Sequence, residues 1–396
     1  MNTSTSDSEY TPKKSPHNEI LHSRSIEALI FMGLFSFIFG GLALEMGAVN
    51  LVNTIMRTAH DLLMNTVFFI MGITVISGAL GKLMIEFGVV RLMEFLLAPL
   101  MRPLFNLPGV ASLGALMTFF SDNPAIISLA RDRKFASYFK KAELISLCNF
   151  GTAFGMGLIV MAFMFGLGFF KAAFIGLIGA VTGATISTRL MQRLIRDAEF
   201  NSSDEPTDNN DTSNETICFK SEGGVFLRFL NAVLDGGKQG VDLALAIIPG
   251  VLIISTFVMI ITFGPLDPIA GYKGVAYEGV PVLPWLAGLA APIFKGLFGF
   301  NSPELIAFPI TSLGAVGAAL SLIRMFLAKG IVGPNEIAVF TAMGMCWSGY
   351  LSTHTAMLDA LNQRHLTSRA LFAHTIGGLA AGIFAHFLYL FVSRLG

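Results

Sequence analysis

About 20 residues without a charged side chain suffice to carry a helix across the hydrocarbon core of a bilayer, where every backbone group must be bonded internally. This chain has seven stretches of that kind free of Asp, Glu, Lys and Arg: Ala28 to Leu44, Leu62 to Gly81, Leu144 to Phe170, Ala172 to Thr188, Leu243 to Leu266, Ile337 to Leu358 and Ala370 to Ser393. Two more, Pro103 to Ser121 and Leu305 to Ile323, are long enough to cross but follow amphipathic, Pro-punctuated segments rich in Leu and Phe. Charged residues make up 13% of the 396 and hydrophobic ones 54%, a balance that fits an all-α integral membrane protein and not a soluble domain. Net charge is zero, which leaves no basic excess for nucleic acid, and no Gly-rich loop ending in Gly-Lys-Ser/Thr is present for a nucleotide. The cysteines Cys148, Cys218 and Cys346 are scattered and show no zinc spacing.

The chain repeats itself. Ala98-Pro99-Leu100-Met101-Arg102-Pro103-Leu104-Phe105 matches Ala291-Pro292-Ile293-Phe294-Lys295-Gly296-Leu297-Phe298 at a shift of 193. The same shift places Glu143-Leu144-Ile145 on Glu336-Ile337-Ala338 and Gly151 on Gly344, and a shift of 198 maps Lys171-Ala172-Ala173-Phe174 onto Arg369-Ala370-Leu371-Phe372. Three matches in order signify duplication. The expected organisation is a disordered polar tail over 1–26, an extra transmembrane helix and loop over 27–61, a first repeat over 62–192, a polar linker and amphipathic segment over 193–242, and a second repeat over 243–394.

The distribution of Lys and Arg orients the repeats. If the two ambiguous stretches are re-entrant hairpins, each half crosses three times and the second half is inverted. With the N-terminus inside, 19 of the 26 basic residues then face the cytoplasm; if both stretches cross fully, the better orientation leaves 15 inside against 11 outside. The expectation is therefore two inverted repeats with about seven transmembrane helices, two re-entrant hairpins and amphipathic interfacial helices, set in the plasma (inner) membrane with a cytoplasmic N-terminus. Secondary transporters are organised this way, because broken helices at membrane depth persist only where protein or water satisfies them.

Polar residues inside apolar runs are the candidate binding groups. Ser121-Asp122-Asn123-Pro124 breaks one run, since Pro pushes the residue before it out of the helical region, and is readable as a re-entrant tip or as a capped surface turn. Asn301, Ser302 and Glu304 open the corresponding stretch of the second half, where a plain helix start with Pro at its first turn is the alternative. Thr311 and Ser312 interrupt that stretch again. Asn149 and Thr152 lie on a helix dense in small residues, and its repeat mate carries Ser352, Thr353 and His354. These thirteen residues form the expected solute site, with Asp122 and Glu304 serving a coupling Na+ or H+ or the hydroxyls of the solute. Cys148 and Cys346 fit either a soft-metal path or small buried side chains. No motif of a hydrolase or metalloprotease is present, so an enzyme is not expected.

The amphipathic Leu92 to Phe105 with its continuation to Gly109, its repeat over Ala291 to Phe300, and Gly236-Gly237-Lys238-Gln239-Gly240 leading into Ala246-Ile247-Ile248-Pro249-Gly250 resemble the nucleoside-recognition, or Gate-domain, membrane proteins. Spore maturation proteins A and B, the membrane part of the ferrous iron permease and, distantly, the concentrative nucleoside transporters are similar. The resemblance covers roughly residues 60 to 390. It implies an inverted-repeat permease whose hairpins point inward from both sides, moving a small polar, nucleoside-like solute; separately, the apolar composition calls for membrane lipid, and the amphipathic segments and extra N-terminal helix for further copies of the chain, as neighbours. Asp122 and Asn123 stand where nucleoside transporters carry a Glu-bearing hairpin pattern, so the solute itself does not transfer. The relatives also allow a non-transporting scaffold or assembly factor, or a metal-ion permease.

Overall fold

The structure, a computed structural model, describes residues 16–199 and 223–395, with side chains over 26–195 and 223–395. Residues 1–15 of the expected tail and 200–222 of the expected linker segment, with Cys218, lie outside the described residues.

Nineteen α-helices follow in order among the described residues: α1 (Pro16–Met46), α2 (Ala48–Asp61), α3 (Phe68–Glu86), α4 (Val89–Phe105), α5 (Ala111–Phe120), α6 (Pro124–Arg131), α7 (Arg133–Ala136), α8 (Lys141–Thr152), α9 (Gly157–Gly166), α10 (Phe170–Glu199), α11 (Val225–Pro249), α12 (Thr256–Ile260), α13 (Val282–Gly288), α14 (Ala291–Phe298), α15 (Ala307–Gly314), α16 (Val316–Ala328), α17 (Pro334–Cys346), α18 (Tyr350–Ala360) and α19 (Thr367–Leu395). A π-helical turn, Leu62–Val67, fuses α2 and α3 into one apolar helix of 39 residues, and a second, Gly250–Ser255, fuses α11 and α12 into one of 36. The second π-turn directly follows Pro249. A proline removes one helical hydrogen bond and crowds the preceding turn, and a wider turn takes up the misfit.

Among the described residues, six helices are long and apolar enough to cross a membrane. Of the seven expected stretches, Ile337 to Leu358 is interrupted at 347–349 between α17 and α18, and Leu144 to Phe170 at 153–156 between α8 and α9. The two ambiguous stretches are helical hairpins, α5/α6 and α15/α16. Their longest arm, α16, has 13 residues, about 20 Å at the helical rise, too short for a core of about 30 Å. The helix α11 takes up residues 225–242 of the segment expected as polar linker and amphipathic segment. Its Asp235, Lys238 and Asp242 stop the apolar run without stopping the helix, because Gly236 and Gly240 let its backbone pack directly on α3. A Cβ on Gly236 would lie 2.4 Å from the Gly78 carbonyl, and one on Gly240 would lie 2.3 Å from that of Thr74.

The duplication is visible in the backbone. Asn106 (φ 55°) and Gly299 (φ 74°) are left-handed residues closing α4 and α14, and Met156 (φ 55°) and Gly349 (φ 66°) are left-handed residues opening α9 and α18. Both pairs are 193 apart. Glu143 accepts from the Lys140 N–H (3.0 Å) as Glu336 accepts from the Gly333 N–H (2.9 Å), and these pairs obey the same shift.

The second repeat is inverted. Gly179 meets Ala381 and Gly183 meets Gly377, so α10 and α19 run antiparallel in contact. A shift of 198 converts each of these contacts into the other, which is the signature of a local twofold axis through the crossing. Small residues allow that close approach: a Cβ on Gly183 would sit 2.5 Å from the Gly377 carbonyl. Around this centre α1 exposes Leu29, Ile30, Phe31 and Phe37, and α4 exposes Leu92, Phe95 and Leu96 while burying Val90, Met101 and Phe105. Such faces suit lipid and the membrane interface respectively.

Candidate functional site

The tip of the first hairpin meets the breaks of both interrupted helices. Asn123, at the tip between α5 and α6, points into the other half of the molecule, where its Nδ2 donates to the Ser348 carbonyl at 3.2 Å and lies 3.5 Å from Ser348 Oγ. Glycines on both sides make room for it. A Cβ on Gly155 would lie 2.3 Å from Asn123 Oδ1, and one on Gly349 would lie 2.5 Å from Asn123 Nδ2. One amide therefore wedges between the breaks of the two repeats and is almost fully buried, with 6% exposed.

A cavity of about 330 Å³ opens beside this wedge. Asp122 and Asn123 of the first hairpin, Ala315 and Gly317 of the second, and Ser352 and Thr353 of α18 line it. Asp122 Oδ1 and Asn123 Oδ1 are buried there without a hydrogen-bond partner. A buried acceptor left unpaired costs about 1–3 kcal/mol, so two oxygens in the wall of this cavity lack the donor that would satisfy them. The first turns of α16 and α18 also begin at its wall, and the N–H groups of a first turn have no partner within their own helix.

The other expected site residues are placed differently. Ser121 donates its hydroxyl to the Met117 carbonyl (2.7 Å). Asn149 is held in the core: its Nδ2 donates to Ser187 Oγ and to the Ala370 carbonyl, both at 2.9 Å, and its Oδ1 accepts from Cys148 Sγ at 3.1 Å. Thr152 donates to the Cys148 carbonyl (2.5 Å), while Thr311 and Ser312 donate to the carbonyls of Ala307 (2.7 Å) and Phe308 (3.0 Å) in their own helix. None of these five lines the cavity.

Asn301 and Ser302 border a separate cleft of about 290 Å³ beside α14, at the open end of the second hairpin. Glu304 pairs there with Lys329 at 3.0 Å. Its carboxylate already has a partner, and the distance of this end from the tip keeps it out of the cavity.

His354 adjoins the cavity wall without lining it. Its Nδ1 donates to the Tyr350 carbonyl (2.6 Å), its Nε2 is buried without a partner, and its ring centre lies 4.6 Å from that of His374. His374 in turn bonds Ser187 Oγ (2.9 Å) and the Cys346 carbonyl. Cys346 Sγ lies 3.6 Å from the Ala180 carbonyl, and no group of three or more His, Cys, Asp or Glu able to hold a metal occurs among the described residues.

Sequence reasoning missed Gly314, Ala315, Gly317, Ser348 and Gly349. The 193 shift contained the signal, because it maps Ser121–Pro124 onto 314–317 and Met156 onto Gly349. Matching the halves by polar side chains instead pointed to Asn301–Glu304, whereas the second tip is a Gly-Ala-Val-Gly turn without polar side chains.

Residues 67–168, which hold α3, the first hairpin and the first break, match a family described as Gate, nucleoside recognition. The sporulation integral membrane protein YlbJ of Bacillus subtilis (strain 168) is 33% identical over 102 residues, a match covering 25% of this chain and about a quarter (24%) of that protein's length. Among solved structures, CNTnw in an inward-facing substrate-bound state superposes with a TM-score of 0.53 at 13% identity, covering 94% of this chain and 87% of CNTnw. A CNTnw variant in an outward-facing state gives a TM-score of 0.54, also at 13% identity, covering 94% and 86%. Near-equal likeness to opposite states is a likeness of fold. The chain thus has the all-α membrane fold of the concentrative nucleoside transporters, and residues 67–168 within its first half match the Gate family.

Proposed function

We propose that this protein moves a small polar solute rich in hydrogen-bond donors, of nucleoside type, across the plasma membrane by alternating access, with Na+ or H+ as coupling ion and the N-terminus in the cytoplasm. The observation that carries the reading is the pair of unpartnered buried acceptors, Asp122 Oδ1 and Asn123 Oδ1, in a cavity walled by both hairpin tips and by the second helix break. Sugar hydroxyls and the N–H groups of a base are the donors these acceptors lack. Ser352 and Thr353 supply hydroxyls that both donate and accept. The inverted repeats support alternating access, since the twofold-related hairpins enter from opposite sides and each can seal one face in turn.

The test is radiolabelled uptake of nucleosides, nucleobases and amino acids into proteoliposomes, with and without a sodium or proton gradient. Gradient-stimulated uptake of one class, lost in Asp122→Ala, is the expected result. No uptake of any class would refute the proposal.

A second reading, a membrane scaffold without transport, draws on the identity with a sporulation membrane protein across the first hairpin. It predicts a flat uptake screen together with a defined protein partner recovered by crosslinking in intact membranes.

A further inference from the structure

The two hairpin tips that wall the solute cavity are opposite in chemistry. The shift of 193 places Ser121-Asp122-Asn123-Pro124 on Gly314-Ala315-Val316-Gly317. The first tip brings side-chain acceptors and, in Pro124, a residue without an N–H. The second brings no polar side chain, and a glycine stands where the first has its proline.

What the second tip offers is backbone. The Ala315 N–H is taken by the Thr311 carbonyl (3.0 Å), and the ladder of α16 opens with the Ala319 N–H on the Ala315 carbonyl (3.1 Å). The N–H groups of Val316, Gly317 and Ala318 come before that ladder, and Val316 and Gly317 line the cavity. With 13 residues, α16 carries the partial positive charge of a helix start. No Lys, Arg or His lines the cavity among the described residues, so an acceptor inside it meets these N–H groups and the neighbouring hydroxyls, and no cationic side chain. An independent feature of the same lining calls for a ligand: Asn123 is only 6% exposed, and its Oδ1 has no partner.

We infer that the solute is two-ended, with donors held at the first tip and an oxygen acceptor, a carbonyl or a carboxylate, held by the N–H groups of Val316 and Gly317 at the second. The inference rests on the transport reading and narrows its solute. A nucleobase carries N–H and carbonyl groups on one ring, and an amino acid carries an ammonium and a carboxylate. Polyamines and other cations without an acceptor are excluded, because they leave the second tip unmatched and bring positive charge to a helix start.

The experiment is equilibrium binding of radiolabelled nucleosides, nucleobases and amino acids to the purified full-length protein, comparing wild type with Gly317→Pro and Gly317→Ala. Proline in the first turn of a helix breaks no internal hydrogen bond, and Pro124 holds this place in the first hairpin, so Gly317→Pro deletes one N–H from the second tip. Gly317→Ala keeps the N–H, and its Cβ would lie 3.1 Å from Ile247 Cδ1, the movable end of a side chain. Gly317→Pro is expected to bind the solute roughly three- to tenfold more weakly than Gly317→Ala, with melting in detergent showing that both are folded. In wild type, exchanging the acceptor oxygen of a base for sulfur, or an amino acid for the amine without its carboxylate, should weaken binding, a readout that needs no variant. Binding of nucleosides or nucleobases with these effects assigns the acceptor to a carbonyl. Binding of amino acids with them assigns it to a carboxylate, which supports the inference and refutes the nucleoside reading. Equal affinity of the two folded variants, equal affinity of wild type for a solute and its analogue, or binding of none of the three classes overturns the inference. Gradient-stimulated nucleoside uptake alongside equal affinities would leave the transport reading standing.

Discussion

Replacing Gly349 by Ala tests whether the break between α17 and α18 shapes the solute cavity. Gly349 has φ 66°, a left-handed conformation that costs an ordinary L-residue about 1–2 kcal/mol. The added Cβ would also fall 2.4 Å from Thr353 Oγ1 and 2.5 Å from Asn123 Nδ2, so one of those groups must move. If the Asn123 amide moves, its 3.2 Å bond to the Ser348 carbonyl is lost, at about 0.5–1.5 kcal/mol. Together these amount to about 1.5–3.5 kcal/mol, or roughly 10- to 300-fold in a conformational equilibrium. The assay pairs thermal unfolding in detergent with the affinity for whichever solute the uptake screen identifies. Gly349→Ala is expected to melt earlier and bind more weakly. Gly349→Asn recovers only the backbone part, since Asn tolerates the left-handed region but keeps the Cβ. Met156→Ala, at the repeat-equivalent position, introduces no new Cβ and leaves the wedge in place. Wild-type melting and wild-type affinity in Gly349→Ala would refute the reasoning.

Other residues separate core from site. Asn149→Leu strips the donors from Ser187 Oγ and the Ala370 carbonyl and should destabilise by about 1–3 kcal/mol, lowering the melting temperature while the affinity of the folded fraction, measured by equilibrium dialysis, stays unchanged. Glu304→Gln removes a partly exposed ion pair with Lys329, worth no more than about 1 kcal/mol, and uptake rates should match wild type. Tyr277, in the loop between α12 and α13, has its phenol pushed above the ordinary value of 10.0 by burial first, then by its hydrogen bond to Asp61 and that carboxylate's charge. A raised folded pKa favours the neutral phenol, so this contribution is complete below pH 10 and is lost as pH rises through the folded value. Limited proteolysis should therefore show loosening of the loop only at strongly alkaline pH, a step missing in Tyr277→Phe.

Much of the fold was legible because membranes restrict it severely. Charge-free stretches located the spanning helices, the Ala98–Phe105 and Ala291–Phe298 match gave the 193 shift, and basic residues argued for hairpins in an inverted pair. The helix α11 was harder to read, since Asp235, Lys238 and Asp242 imitate a linker and only the glycine contact with α3 explains why the helix continues. For the candidate site, Asp122 and Asn123 were legible as polar groups before a proline in an apolar run. Asn149 looked the same in sequence, yet the core satisfies it through Ser187 and Ala370, partners that only tertiary structure supplies. The second tip escaped notice for the opposite reason: Gly314–Gly317 contributes backbone and space and has no polar side chain to attract attention.

The central claim is that the cavity beside Asn123 opens to both sides of the membrane in turn. Ser352 lines that cavity, so a single cysteine there, in a chain with Cys148, Cys218 and Cys346 replaced, reports access by a membrane-impermeant thiol reagent added to one side or the other of oriented proteoliposomes. Alternating access predicts labelling from both sides, with a transported solute slowing it. Labelling from neither side, or from one side only and unaffected by any solute, would contradict the account.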